Sequence, residues 1–149
     1  MDYYDLIIVG AGPAGSTLAH ALQDSGKRIL VIDKQDFPRD KTCAGWVTPA
    51  VMDSLDIDIN HYGTGRTLQP IRRFRIGMMG QSAVENDHGE IVSYGIRRCE
   101  FDAFLLDRTA VPKQLNTPVK SIVRRDGNWV INDQWQAPLL VGAGGHFCP

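Results

Sequence analysis

Apolar residues follow three patterns along this chain. Leu6-Ile7-Ile8-Val9 and Arg28-Ile29-Leu30-Val31-Ile32 are unbroken or nearly unbroken runs, the pattern of parallel strands covered on both faces. Pro138-Leu139-Leu140-Val141 is a third run of this kind. Helical spacing links Leu18, Ala19 and Leu22 within the segment 16–23, and Phe101, Phe104 and Leu105 within the segment 96–110. Glu100 and Asp102 suit the positive start of that second helix, and Pro112 ends it. Thr48-Pro49 predicts an N-cap and a first helical residue for a short helix over 50–55. Alternation marks the remaining strands. Ile71 and Phe74 oppose Arg72 and Arg75 in the segment 71–79, and strands are predicted over 82–85 and 90–94 around the turn Asn86-Asp87-His88-Gly89. Gln114 to Asn116 predicts a short strand. Val119–Arg125 and Trp129–Asn132 alternate around Asp126-Gly127-Asn128, a hairpin signal. Residues 34–49 and 56–69 lack periodicity and read as loops. The expected fold class is α/β, over residues 1–149. It has a parallel sheet, an antiparallel block inserted at about 66–96, and a cut-short end, because a strand-and-glycine turn close to Pro149 normally leads onward.

The first apolar run ends in Gly10-Ala11-Gly12-Pro13-Ala14-Gly15, and a helical pattern follows at once. Strand, glycine turn and helix are the setting that a dinucleotide fingerprint requires. Gly10 turns the chain out of the strand, Gly12 leaves room for a pyrophosphate, and Gly15 lets helix and strand approach. The unpaired N–H groups of the new helix favour an anion. Asp33 ends the second run 18 positions past Gly15, the place of the acid that holds a ribose diol. Gly10, Gly12, Pro13, Ala14, Gly15, Asp33 and the adjacent Lys34 are therefore candidate cofactor contacts.

Composition changes this picture little. The 43% hydrophobic and 22% charged content suits a globular core, and a net charge of −1 gives no pull toward nucleic acid. No apolar run reaches membrane-span length, and the acidic start is unlike a signal peptide. Three scattered cysteines give neither a disulfide framework nor a metal set, so a cytoplasmic setting and no metal are expected. The arginines at 66, 72, 73 and 75 read as a solvated strand face. Arg39 and Lys41 sit in the long loop and are suited either to a phosphate or to solvent. The four histidines read as structural or exposed, and no catalytic residue is assigned.

A family resemblance now becomes visible. Proline after the second glycine of the fingerprint looks like a flavoprotein sequence more than a nicotinamide one. Pro38-Arg39-Asp40-Lys41-Thr42-Cys43-Ala44-Gly45-Trp46-Val47-Thr48-Pro49 resembles a loop of the geranylgeranyl-reductase-like FAD enzymes. Arg98-Cys99-Glu100-Phe101-Asp102-Ala103-Phe104-Leu105 resembles a segment shared by that group and the para-hydroxybenzoate-hydroxylase superfamily. The resemblance implies a Rossmann-like FAD/NAD(P)-binding domain over residues 1–149 with FAD as cofactor, Gly10, Gly12 and Gly15 at its pyrophosphate and Asp33 at the adenosine ribose. It further implies Lys41, Ala44 and Gly45 on the flavin side, Arg98 at the phosphate–ribityl region, and Val119 meeting the adenine through its backbone. Asp33 stands where family members carry Glu. Gly144 stands where the second flavin motif has an aspartate, so the backbone would supply that contact. The implied function is an FAD-dependent oxidoreductase reducing double bonds. The alternatives are an aromatic hydroxylase, an NAD(P)-dependent dehydrogenase domain and an inactive cofactor-binding fragment. NAD(P)H is an expected electron donor, and the expected partner is a small-molecule substrate, isoprenoid or aromatic.

Overall fold

The computed structural model describes residues 1–147. Its elements, in order, are β1 (Asp2–Tyr3), β2 (Leu6–Val9), α1 (Pro13–Leu22), β3 (Ile29–Ile32), β4 (Trp46–Val47), α2 (Pro49–Ser54), α3 (Ile59–Gly63), β5 (Leu68–Ile71), β6 (Arg73–Ile76), β7 (Val84–Asp87), β8 (Ser93–Ile96), α4 (Arg98–Asp107), β9 (Lys113–Gln114), β10 (Ile122–Arg125), β11 (Asn128–Ile131), β12 (Trp135–Ala137) and β13 (Leu139–Gly142). A single 3-10 turn follows at Gly145–Phe147. No described helix is long and apolar enough to cross a membrane. The chain divides into two compact units, one of Met1–Arg39 with Asp102 onward, the other of Asp40–Phe101.

In the first unit the two apolar runs lie side by side. A four-stranded parallel sheet has the order β13-β2-β3-β9, with Leu6 opposite Leu139 and Ile29. Side chains alternate across each strand, so both faces of an unbroken apolar run are buried. Leu6, Ile8, Ile29 and Val31 face Ala11, Ala19, Leu106 and Val111. Ile7, Val9, Leu30 and Ile32 face Ile131, Trp135 and Ala137 of a second sheet. Ile7, Ile8, Leu30, Val31 and Ile32 have no exposed surface. Burying each contributes roughly 1.5–3 kcal/mol. The second sheet has the order β1-β12-β11-β10, with β1 parallel to β12 and the other pairs antiparallel. The turn between β10 and β11 holds Asp126 at φ 49° and Gly127 at φ 82°. Two such residues in sequence are what a tight two-residue hairpin needs.

In the second unit β8 pairs with β4 and β5, while β6 and β7 form a separate hairpin. Three expectations are corrected here. Residues 56–69 are not a continuous loop: α3 starts where Asp58 caps it, its carboxylate accepting from the His61 N–H at 2.8 Å, and β5 starts at Leu68. The strand expected over 71–79 is two strands, because Arg72 separates β5 and β6, which pair with different partners. The turn expected at Asn86 begins later, since Asn86 and Asp87 still pair with Phe74 and Arg73.

Candidate functional site

The candidate site lies at the carboxyl ends of β2 and β3. Gly10 leaves β2 at φ 113°, and its N–H donates to the Ile32 carbonyl at 2.7 Å. A side chain there would strike the Ala143 carbonyl group and come 2.7 Å from the Gly144 nitrogen. Only glycine fits, on both conformational and steric grounds. A side chain at Gly15 would overlap the Gly10 carbonyl, so the last glycine lets α1 close onto the turn. Gly12 is the N-cap and offers no side-chain cap, and Pro13 fills the first helical position, where no N–H is needed. The N–H groups of Ala14 and Gly15 have no intrahelical acceptor. Together with the helix dipole they define a place for an anion.

Asp33 joins this turn to the next strand. One carboxylate oxygen accepts from the Ala11 N–H at 2.7 Å and the other from the Gln35 N–H at 2.9 Å. Its backbone carbonyl accepts from the Thr117 N–H at 2.8 Å. A carboxylate has about four acceptor positions, so two hydrogen bonds leave capacity for a diol. A cleft of about 170 Å³ opens here, lined by Val9, Gly10, Ile32, Asp33, Lys34, Thr117, Pro118, Val119 and Gly144. Lys34 is exposed at its rim. Val119 is not in a strand, as the alternation over 119–125 suggests. β10 begins at Ile122, and Val119 sits in the loop before it with its side chain against the buried cluster of Ile7 and Trp135.

Sequence reasoning missed one feature of this site. Asp102 is fully buried and forms an ion pair with Arg39 at 3.5 Å. It was expected only to complement a helix dipole. The Arg39 guanidinium lies over the Phe37 ring, 4.8 Å from its centroid. Its Nη2 stands 3.4 Å from where a side-chain carbon on Gly12 would be, and its Nη1 is buried without a hydrogen-bond partner. A buried carboxylate needs a partner, and Asp102 selects one that holds a cation beside the glycine turn. The Arg-x-x-Phe-Asp segment carried no pairing signal, since the two residues lie far apart in the chain.

The remaining candidates belong to the second unit. Lys41 and Ala44 are exposed, and Arg98 is half-buried in the first turn of α4. Gly45 has a structural reason of its own. It sits at φ 66°, its carbonyl accepts from the Ile96 N–H at 2.8 Å, and any side chain would strike the Ile96 carbonyl. Glu100 accepts from the Thr67 N–H at 2.7 Å and meets Arg97 at 3.2 Å. The Thr67 N–H, first among the causes, holds the Glu100 carboxyl below its ordinary value. Of the histidines, His20 of α1 bonds the Arg108 carbonyl at 3.1 Å. The Arg108 guanidinium, which only donates, approaches its Nε2 at 3.2 Å. His20 is thus structural.

Residues 8–53 match the NAD(P)-binding Rossmann-like domain family. The menaquinone reductase of Mycobacterium tuberculosis is 36% identical over 107 residues, covering 68% of this chain and 25% of that protein. The chain therefore carries a Rossmann-like dinucleotide-binding domain. Solved structures agree in fold. A geranylgeranyl bacteriochlorophyll reductase-like protein from Thermoplasma acidophilum superposes with a TM-score of 0.75 at 20% identity, covering 94% of this chain and 38% of that one. A probable FAD-dependent monooxygenase from Pseudomonas aeruginosa also gives 0.75, at 18% identity, covering 99% and 44%. The chain therefore spans between a quarter and less than half the length of these relatives.

Proposed function

We propose that the first unit binds the ADP half of FAD and that the chain serves a flavin-dependent reduction of a double bond in an isoprenoid or quinone-like small molecule. The observation that carries the first part is the grouping at one sheet end. Unpaired N–H groups of Ala14 and Gly15 offer donors for a pyrophosphate. The Asp33 carboxylate has spare acceptor positions for the ribose, and the Val119 backbone lines the same cleft. Pro13 sets the helix start, and the exposed Lys34 side chain supplies positive charge at the rim. FAD, when bound, supplies two-electron redox chemistry through its ring system. The chain's own residues bind and orient the cofactor.

Reduction is favoured over aromatic hydroxylation by the Lys41-x-Cys43-x-Gly45 loop and by the 36% identity to a menaquinone reductase. The fold similarity to a monooxygenase supports hydroxylation as the second reading. NAD(P)H fits as electron donor to either. The test is titration of the purified chain with FAD, followed by flavin fluorescence and absorbance. FAD is expected to bind, ADP to compete, and FMN, which lacks the AMP part of FAD, to compete poorly. Binding of NAD in place of FAD, or competition by FMN equal to that of ADP, overturns the reading.

A further inference from the structure

Val119 owes its position to a side chain outside the cleft. Asn132 follows β11 at φ 50°, the left-handed region that asparagine tolerates better than most residues. Its Oδ1 accepts from the Lys120 N–H at 2.7 Å and the Ser121 N–H at 3.1 Å. Its Nδ2 donates to the Pro118 carbonyl at 3.0 Å. Its own backbone N–H donates to the Ser121 carbonyl at 3.1 Å. Two N–H donors on one atom and a carbonyl acceptor on the other also fix which way the carboxamide points.

These bonds grip the chain on both sides of Val119 and leave Val119 itself alone. Pro118 is held before it, and Lys120 and Ser121 after it. Thr117 is tied to Asp33 at 2.8 Å, so the loop is also anchored to the carboxylate-bearing strand. The Val119 side chain packs on the core. Within the described residues, the Val119 N–H and C=O make no hydrogen bond. A loop clamped around one residue whose two backbone groups are unspent, at the wall of a cleft, presents a fixed donor and a fixed acceptor side by side. Adenine has the matching pair: a ring nitrogen that accepts and an exocyclic amine that donates. Hypoxanthine reverses both, with a ring N–H and a carbonyl.

We propose that Asn132 is a positioning residue that sets adenine selectivity through Val119. The proposal rests on the reading of the first unit as the ADP site. Asn132 touches no part of the ligand. It fixes the spacing of the two groups that do, and orientation of that kind decides between bases because a mismatch leaves polar groups unpaired.

The test is calorimetric titration of the whole chain with ADP and with IDP. The wild-type chain is expected to prefer ADP by about tenfold or more, the scale of one or two properly placed hydrogen bonds. Asn132→Gly keeps the positive φ without strain and removes the clamp. Its preference should fall to about threefold or less, because both bases then meet a mobile loop. Asn132→Asp keeps the acceptor for Lys120 and Ser121 and loses the donor to Pro118, and should retain an intermediate preference. Circular dichroism and thermal midpoints establish that each variant is folded. If Asn132→Gly does not fold, Asn132→Asp decides. A folded Asn132→Gly, or in its place Asn132→Asp, with the wild-type ADP-to-IDP ratio overturns the role of Asn132 and leaves the ADP site intact. A wild-type chain that binds ADP and IDP equally overturns the inference and leaves the ADP site intact, whereas one that binds neither overturns the ADP-site reading and the inference with it.

Discussion

At the scale of single residues, two carboxylates organise the glycine turn. Asp33 accepts backbone N–H groups on both oxygens, from Ala11 and Gln35. Asn in its place turns an NH2 group toward one of those donors, whichever way the amide is flipped. Asp33→Asn should therefore lose about 1–3 kcal/mol of stability, measured by urea unfolding. Its FAD affinity should fall as well. Asp102 is the second carboxylate. Arg39→Ala removes a charged partner of a fully buried group and should cost about 1–3 kcal/mol. A double-mutant cycle with Asp102→Asn should show coupling above about 1 kcal/mol. The glycines and Asp33 were legible in the sequence because local spacing specifies them. The Arg39–Asp102 pair was not, because nothing local joins a loop after β3 to a position in α4. Asn132 escaped notice for the same reason: its three side-chain partners depend on how the turn after β11 meets the loop before β10.

Among the elements, those with the plainest periodicity matched expectation and those capped by a single residue did not. β2, β3, β13 and α4 stand where apolar runs and helical spacing put them, within a few residues at their ends. The hairpin of β10 and β11 follows from Asp126-Gly127. α3 was missed because five residues leave no room for a periodic stripe, and its start depends on the Asp58 cap. β1 and β12 were missed because they are two and three residues long and are defined by pairing, β1 with β12 and β12 also with β11. In the second unit, Glu100 ties the first turn of α4 to Thr67, just before β5. Its carboxyl titrates below its ordinary value of 4.5. A depressed carboxyl contributes stability in full above the unfolded value and loses it as pH falls through the folded one. Glu100→Gln should cost about 1 kcal/mol at neutral pH. The gap between the two proteins should narrow as pH falls below the ordinary value, in urea unfolding midpoints measured as a function of pH.

For the whole molecule, the α/β class and the Rossmann-like core were legible because a strand, a glycine turn, a helix and a second apolar strand follow one another in a short stretch. The division into two units was less so, since its boundary inside α4 leaves the helical pattern unbroken. The parallel sheet has one more consequence, which concerns time. Its inner strand β2 is made near the start of the chain, but one of its two neighbours, β13, is made near the end, and Leu6 pairs with Leu139. β1 likewise pairs with Trp135 and Gln136. A ribosome releases the most apolar run of the protein long before its partner exists, and contacts so distant in sequence form slowly. A chain ending at Ala137 should therefore show no cooperative thermal transition, and should be bound by chaperones or precipitate on synthesis. A cooperative melt from that shortened chain would show that β2 and β3 fold without waiting for the final strand.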